Sequence, residues 1–557
     1  MNQRAKDRTF WQRLADQQWS KYVRLPAPTN SYTATRDVRI PMRDGVELLA
    51  DVYEPKGPVS GTILVTSPYG YNLIGTAMTG GVFFCHGYRV VLVRCRGTFG
   101  SGGTFEPFMG EADDAADIVA WMREQPWFDG RFATYGYSYC GFTQWALLMD
   151  PPPELVTAVI ACSPYNWGTS VYTGGAFLLS TMVEWSFVTT KQEESLLPRI
   201  AGVLSSRARV RNAMASLPLT GAAEQLMDGK APWYHEWVTR RDLGDPWWKG
   251  ADLTDALERV RVPVLLQGGW QDGFLRPILA SYTRLADRGV EAGLTVGPWT
   301  HAQGGAVGTR VLLPEALAWF DQHLAGSSAG RRPTPVKVFV SGPDEGWRDL
   351  PTWPPASAEQ IFYPRSGKTL AALPADPGEA GTFTYDPANP TPTYGGAFVS
   401  QISPGITAGY TDDSPLATRS DVLAFTSDPL TTRLEVIGRP VVEVGHASDN
   451  PFADLFARLS EVDANGHSRN ISDGFVRLDP AQPPGVVRLE LDGVAHCFAP
   501  GNRIRLIIAG GSHPRWERNL GTPDDPATST GMQPSRRTID LSTTRLIVPV
   551  THPRNNA

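Results

Sequence analysis

Over the first third of the chain, short apolar runs alternate with helix-spaced apolar residues. The runs at 38–40 and 46–53 flank Arg43-Asp44-Gly45, an Asp-Gly turn, and predict a β-hairpin. Residues 62–66 and 89–93 are almost continuously apolar, as in strands covered on both faces of a parallel sheet. A helix follows. Glu111, Asp113 and Asp114 suit its positive end, and Ala115, Ile118, Val119 and Met122 recur at i, i+3, i+4 and i+7, a stripe that covers one sheet face. Residues 131–137 read as a strand and 142–149 as the next helix. Further strands are expected at 155–162, 262–267 and 293–296, with a closing helix at 312–324.

Two stretches break this alternation. Residues 163–259 are rich in Trp, Leu and Arg with helical patterning, and read as a cap inserted into the sheet domain. Beyond the Gly/Ser/Pro linker at 325–335, short alternating runs at 336–340, 441–444, 455–462 and 503–508, an Asn465-Gly466 turn and many prolines predict an all-β sandwich or jelly roll. The expected division is therefore 1–162 with 260–326 as an α/β domain, 163–259 as a helical cap and 335–557 as the β-sandwich.

Length and composition agree with a large enzyme: 557 residues exceed what one core holds, and 41% are hydrophobic. The net charge of -6 is built from interspersed acids and bases with no basic stripe, which excludes a nucleic-acid partner. Charges interrupt every apolar run of residues 1–20, so neither a secretory core nor a membrane span is expected there, and the protein is expected in the cytoplasm, away from membranes. The cysteines Cys85, Cys95, Cys140, Cys162 and Cys497 are odd in number and lack metal-ligand spacing, which implies reduced thiols. His86, His446, His496 and His513 show no ligand pattern either, so no metal and no cofactor are expected. A homo-oligomer stays open.

Three segments carry the chemistry: Gly136-Tyr137-Ser138-Tyr139-Cys140-Gly141, Gly269-Trp270-Gln271-Asp272-Gly273-Phe274 and Gly297-Pro298-Trp299-Thr300-His301. They offer serine, acid and histidine in the chain order of an α/β-hydrolase, each after an expected strand. Glycine is required at 136 and 141 because a serine on a tight strand-to-helix turn leaves no room beside it. The spacing is GxSxxG, one residue wider than the common GxSxG. Alone, Ser138 is an ordinary turn serine, Asp272 a turn aspartate and His301 a core histidine; jointly they make a nucleophile, an orienting acid and a general base. Cys140 is the rival nucleophile, read instead as a small buried residue opening the helix.

These segments, with Pro68-Tyr69, Arg96-Gly97, Pro126-Trp127-Phe128-Asp129-Gly130 and the tail Phe498-Ala499-Pro500-Gly501-Asn502-Arg503-Ile504-Arg505, resemble the cocaine esterase-like (CocE/NonD) hydrolases. Relatives of that family are the α-amino acid ester hydrolases and X-prolyl dipeptidyl aminopeptidases. The resemblance implies an α/β-hydrolase domain with an inserted helical cap and a carboxy-terminal jelly roll. It also implies that Ser138 is the nucleophile, His301 the base and Asp272 its orienting partner, with the Tyr69 hydroxyl and the Tyr139 amide as oxyanion donors and Phe274 and Trp185 lining the acyl pocket. Where cocaine esterase has a further cap tryptophan this chain has Ser170 or Val171, and Arg94 stands where many relatives have Asp.

The expected reaction is hydrolysis of a small-molecule carboxylic ester through an acyl-enzyme. An amidase, aminopeptidase or acyltransferase of the same fold is the alternative; its amino-acyl branch needs carboxylates for the substrate ammonium, for which Glu184, Glu193, Glu194 and Asp228 are candidates. A β-sandwich binding protein with a dead hydrolase domain is opposed by the three filled positions.

Overall fold

The computed structural model describes residues 6–7, 10–70, 82–328, 330–399 and 407–551. A short strand, β1 (Lys6–Asp7), pairs with β2 (Tyr32–Pro41), which makes the expected hairpin with β3 (Glu47–Pro55). β4 (Thr62–Ser67), β5 (Arg89–Arg94), β6 (Phe132–Tyr137), β7 (Leu155–Ala161), β8 (Val264–Gln271) and β9 (Ala292–Thr300) continue the sheet in parallel. The order is β1-β2-β3-β5-β4-β6-β7-β8-β9-β10-β11, with β10 (Val336–Val340) and β11 (Gly346–Leu350) at the far edge.

The apolar runs are continuous because both faces are covered. Val91 and Val93 pack with Ile118 and Phe142 on one side, while Val90 and Leu92 pack with Leu313 and Phe320 on the other. Helices Glu111–Arg123 and Tyr139–Leu147 thus cover one face and Thr309–His323 the opposite one. Between β7 and β8 the chain forms helices including Trp167–Val171, Leu179–Thr189, Leu196–Ser205 and Pro232–Thr239, as the patterning of that stretch predicts.

Three expectations change. β8 and β9 run beyond 267 and 296, to Gln271 and Thr300, because strand pairing persists through glycines that carry no apolar signal. The segment 336–340, read above as the first strand of the β-sandwich, instead pairs in parallel with β9, and β11 returns antiparallel to it. A five-residue apolar alternation states that a strand exists but not which sheet will accept it. The helix after Ser138 likewise begins at Tyr139, earlier than 142.

The second body is all β. Val422–Ser427, Asp454–Val462, Ser468–Arg477 and Arg503–Ala509 form one antiparallel layer; Leu434–Gly438, Val441–Ser448, Val494–Phe498 and the long Ser535–Val550 form the other. Phe425, Leu459 and Ile508 meet Val436, Val444 and Leu546 in the core between them. This body is joined to the hydrolase part by polar contacts: Arg276 Nε to Asp492 at 2.5 Å, and the Thr181 hydroxyl to the Val399 carbonyl at 3.0 Å.

Arg94, which departs from the pattern of the relatives, sits at the end of β5 and binds Asp37 at 2.7 Å and Asp51 at 2.8 Å. Asp51 is fully buried and also takes Arg36. The residue therefore compensates a buried carboxylate at the sheet's antiparallel end.

Candidate active site

Ser138 occupies the turn between β6 and helix Tyr139–Leu147 with φ 61° and ψ -125°, a conformation costly for a residue with a side chain. The turn is tight enough that a Cβ at Gly136 would lie 2.0 Å from the Cys140 carbonyl oxygen, and one at Gly141 2.4 Å from the Ser163 Cβ. Both glycines are thus fixed by space, as the sequence argument requires.

The parallel strands bring the acid and the base to the same edge. His301 follows directly on β9, where Thr300 and Gln303 form a reciprocal capping box, and its carbonyl accepts the Tyr137 hydroxyl at 2.6 Å. Its Nε2 lies 3.0 Å from Ser138 Oγ and its Nδ1 2.9 Å from Asp272 Oδ2. Asp272 is 1% exposed, and its Oδ1 accepts the Phe274 amide at 2.7 Å, so both carboxylate oxygens are fixed. The three side chains form one relay.

Tyr69 and Tyr139 flank it. The Trp185 indole N–H donates to the Tyr69 hydroxyl at 3.3 Å, and burial holds that phenol well above its usual range, so it stays protonated and able to donate. Tyr139 is the first residue of its helix, so its amide has no acceptor within the helix and remains available to a ligand. The Phe274 ring packs edge-on to His301 at 5.4 Å.

Ser138, His301, Tyr69, Tyr139, Trp185 and Phe274 line one cleft of about 680 Å³, and Asp272 lies behind it. Its walls also include Phe108 and Trp167, stacked at 3.7 Å, and Ile200, Val203 and Leu204 from helix Leu196–Ser205. Val399 enters from the chain beyond the sheet. The sequence reading missed these. The apolar stripe of LLPRIAGVLS was a visible signal for the helix, whereas Phe108 and Trp167 sit in segments whose local pattern is unremarkable among many aromatics. Neither Ser170 nor Val171 is among the described lining residues.

None of the candidate ammonium-binding carboxylates is among the described residues that line the cleft. Glu193 accepts the Phe99 amide at 2.8 Å, Glu194 pairs with Lys191 at 3.0 Å, Glu184 is buried, and Asp228 ends the helix Gly221–Met227. Among the described lining residues the cleft holds no carboxylate, and Arg199 is the charged side chain.

Two rival centres can be weighed. Cys140 is 1% exposed and burial pushes its thiol up to about 12, so it is a protonated core group. Ser341, His496 and Glu461 form a second relay: Ser341 Oγ lies 2.8 Å from His496 Nδ1, and Nε2 lies 3.0 Å from Glu461. All three are buried and none of them lines the cleft of Ser138, which fits a structural rather than a catalytic relay. Ligand atoms of Cys162, Asp272 and His301 lie within 4.8 Å of one another. Two of those residues are engaged in the first relay, and burial keeps the Cys162 thiol protonated, which suits a metal poorly. Among the described residues no helix is long and apolar enough to cross a membrane.

Residues 44–303 match the family model of the X-Pro dipeptidyl-peptidase (S15 family), and residues 329–545 that of the X-Pro dipeptidyl-peptidase C-terminal non-catalytic domain. The cocaine esterase of Rhodococcus sp. (strain MB1 Bresler) is 29% identical over 545 residues, covering 88% of this chain and 93% of that protein. An aminopeptidase from a marine-sediment Thaumarchaeota archaeon superposes with a TM-score of 0.78 at 20% identity, over 94% of this chain and 97% of that one. An α-amino acid ester hydrolase superposes with a TM-score of 0.77 at 22% identity, over 95% and 98%. The last two likenesses concern the fold.

Proposed function

We propose, on the premise that this chain belongs to the S15-type, cocaine esterase-like (CocE/NonD) family of esterases and peptidases, that it hydrolyses a carboxylic ester with a bulky apolar part through an acyl-enzyme on Ser138. The observation that carries the reading is the unbroken run of contacts from Asp272 through His301 to Ser138 on the wall of an apolar cleft.

A serine hydroxyl is a weak nucleophile until a base removes its proton. As Ser138 Oγ bonds to the ester carbonyl carbon, His301 Nε2 takes the hydroxyl proton and Asp272 stabilises the imidazolium. The carbonyl oxygen becomes an oxyanion that accepts from the Tyr69 hydroxyl and the Tyr139 amide. Collapse breaks the bond to the leaving oxygen, to which His301 returns the proton. Water then repeats the sequence on the acyl-enzyme and frees the acid and Ser138.

The lining favours an ester over an amino-acyl substrate: the described walls offer no carboxylate to pair with an ammonium, and the Arg199 guanidinium would repel one. The test is a panel of p-nitrophenyl esters beside an amino-acyl anilide, on wild type and Ser138→Ala, with labelling by a fluorophosphonate. Ester turnover and labelling, both lost in Ser138→Ala, are expected. Preference for the anilide would move the protein to the aminopeptidase branch, and absence of labelling would remove the nucleophile.

A further inference from the structure

The hydroxyl of Tyr139 has a role separate from its amide. It donates to Glu111 Oε1 at 2.5 Å and accepts the Phe108 amide at 2.8 Å. Tyr139 is 1% exposed and Glu111 8%, so the carboxylate expected simply to suit the positive end of its helix is in fact buried. Phe108 has φ 69°, a strained value for a phenylalanine, and its ring lies 4.3 Å from the Tyr139 ring. A buried carboxylate thus ends a hydrogen-bonded chain that reaches both the residue after Ser138 and a wall of the cleft.

We propose that Glu111 is a positioning residue of this site: through the Tyr139 hydroxyl its carboxylate fixes the first residue of helix Tyr139–Leu147, and with it the amide directed at the oxyanion. The inference rests on the serine-hydrolase reading above. The mechanism is geometric. An oxyanion donor acts only if it is held where charge develops, and a displacement of an ångström forfeits much of the rate. The bond to an ionised carboxylate is stronger and shorter than one to its neutral acid, so the anchor is firmest when Glu111 is charged.

Burial pushes the Glu111 carboxyl up to about 7, against the Tyr139 hydroxyl, which favours the charged form. The other groups facing it are Asp114, which raises it further, the Cys95 thiol at 3.9 Å and Arg96, which lower it, and the Cys140 thiol. Arg96 is itself held by Asp114 and Asp44. The anchor is therefore set to loosen as the solution turns from neutral to acid.

The experiment measures ester turnover of wild type, Glu111→Gln, Tyr139→Phe and the double variant from acid to alkaline pH. Glutamine mimics the neutral acid, so Glu111→Gln should lower kcat about tenfold in alkali with KM within about twofold. The ratio of wild-type to variant kcat should shrink towards unity on the acid side, with a midpoint near the folded value of about 7; taking the ratio removes any pH dependence the two proteins share. Tyr139→Phe should show the same ratio, and the double variant should be no worse than either single. Should Glu111→Gln fail to fold by circular dichroism, the Tyr139→Phe ratio decides alone. A pH-independent ratio, unchanged kcat or additive losses would overturn the inference while leaving the nucleophile intact. A wild type with neither turnover nor fluorophosphonate labelling would overturn the underlying reading and this inference together.

Discussion

The indole N–H of Trp185 donates to the hydroxyl oxygen of Tyr69 at 3.3 Å, so the phenol spends a lone pair on the cap and keeps its own hydrogen for the site. The cap thereby orients a donor that belongs to the hydrolase domain. Tyr69→Phe is expected to lower kcat by about 10² to 10³ with little change in KM. Trp185→Phe keeps an aromatic ring but removes the indole N–H and with it the bond, and its loss should be smaller, about tenfold, again in kcat. Steady-state kinetics on one chromogenic ester separates the two; equal effects on KM would assign both residues to binding instead.

The two Ser-His-carboxylate relays give an internal control. Asp272→Asn should cost ~10⁴ in kcat, because the imidazole loses its orientation and the partner of its charge. Ser341→Ala should leave kcat unchanged and lower the unfolding free energy by about 1 to 3 kcal/mol, the cost of a buried imidazole nitrogen without its donor. Denaturant unfolding and turnover of both variants test the contrast, and loss of activity in Ser341→Ala would place the chemistry in the wrong relay.

Arg199 is expected to give the cleft a charge preference. Among esters of equal size, one bearing a carboxylate should be turned over with kcat/KM about fivefold to tenfold above a trimethylammonium analogue at low ionic strength. Added salt should shrink the gap and Arg199→Glu should reverse it. A preference that ignores both changes would exclude the guanidinium.

Stability should carry the signature of Glu111. Its folded value, about 7, lies above the ordinary 4.5, so the folded state holds a proton that the unfolded chain releases between those values. Stability from this group is present below about 4.5 and is lost as pH rises to about 7. Glu111→Gln, which never ionises, should therefore gain stability relative to wild type on the alkaline side, while being slower there. Melting temperatures of the two proteins across pH check the sign.

The five cysteines are buried, and none forms a disulfide among the described residues. A thiol reagent such as Ellman's should find none accessible in the native protein and all five after unfolding in denaturant. Rapid native labelling of Cys140 would contradict its place beneath Ser138.

What was legible in the sequence follows from what local pattern encodes. Apolar runs and glycine-flanked turns report strands and tight bends, so the strand and turn that carry Ser138 could be read from the chain alone, whereas the ends of β8 and β9, built through glycines, ran past their expected bounds. Partners distant in sequence are not encoded in this way. Arg94 needed Asp37 and Asp51 to become intelligible, and Glu111 looked like a helix-end carboxylate until the Tyr139 hydroxyl was seen against it. The cleft walls were hidden for a related reason: an amphipathic helix such as Leu196–Ser205 announces an apolar face but not whether that face meets core, solvent or substrate.

The parallel pairing of β10 with β9 bears on how the chain can be dissected. A fragment ending at the linker near residue 326 would strip β10 and β11 from the sheet and expose the backbone groups of β9, the strand that delivers His301. Such a bare edge is a template for intermolecular association. The smallest fragment with a closed margin on that side extends through Leu350, and one trimmed at the compositional break should precipitate for want of twenty-odd residues that look, in sequence, like somebody else's domain.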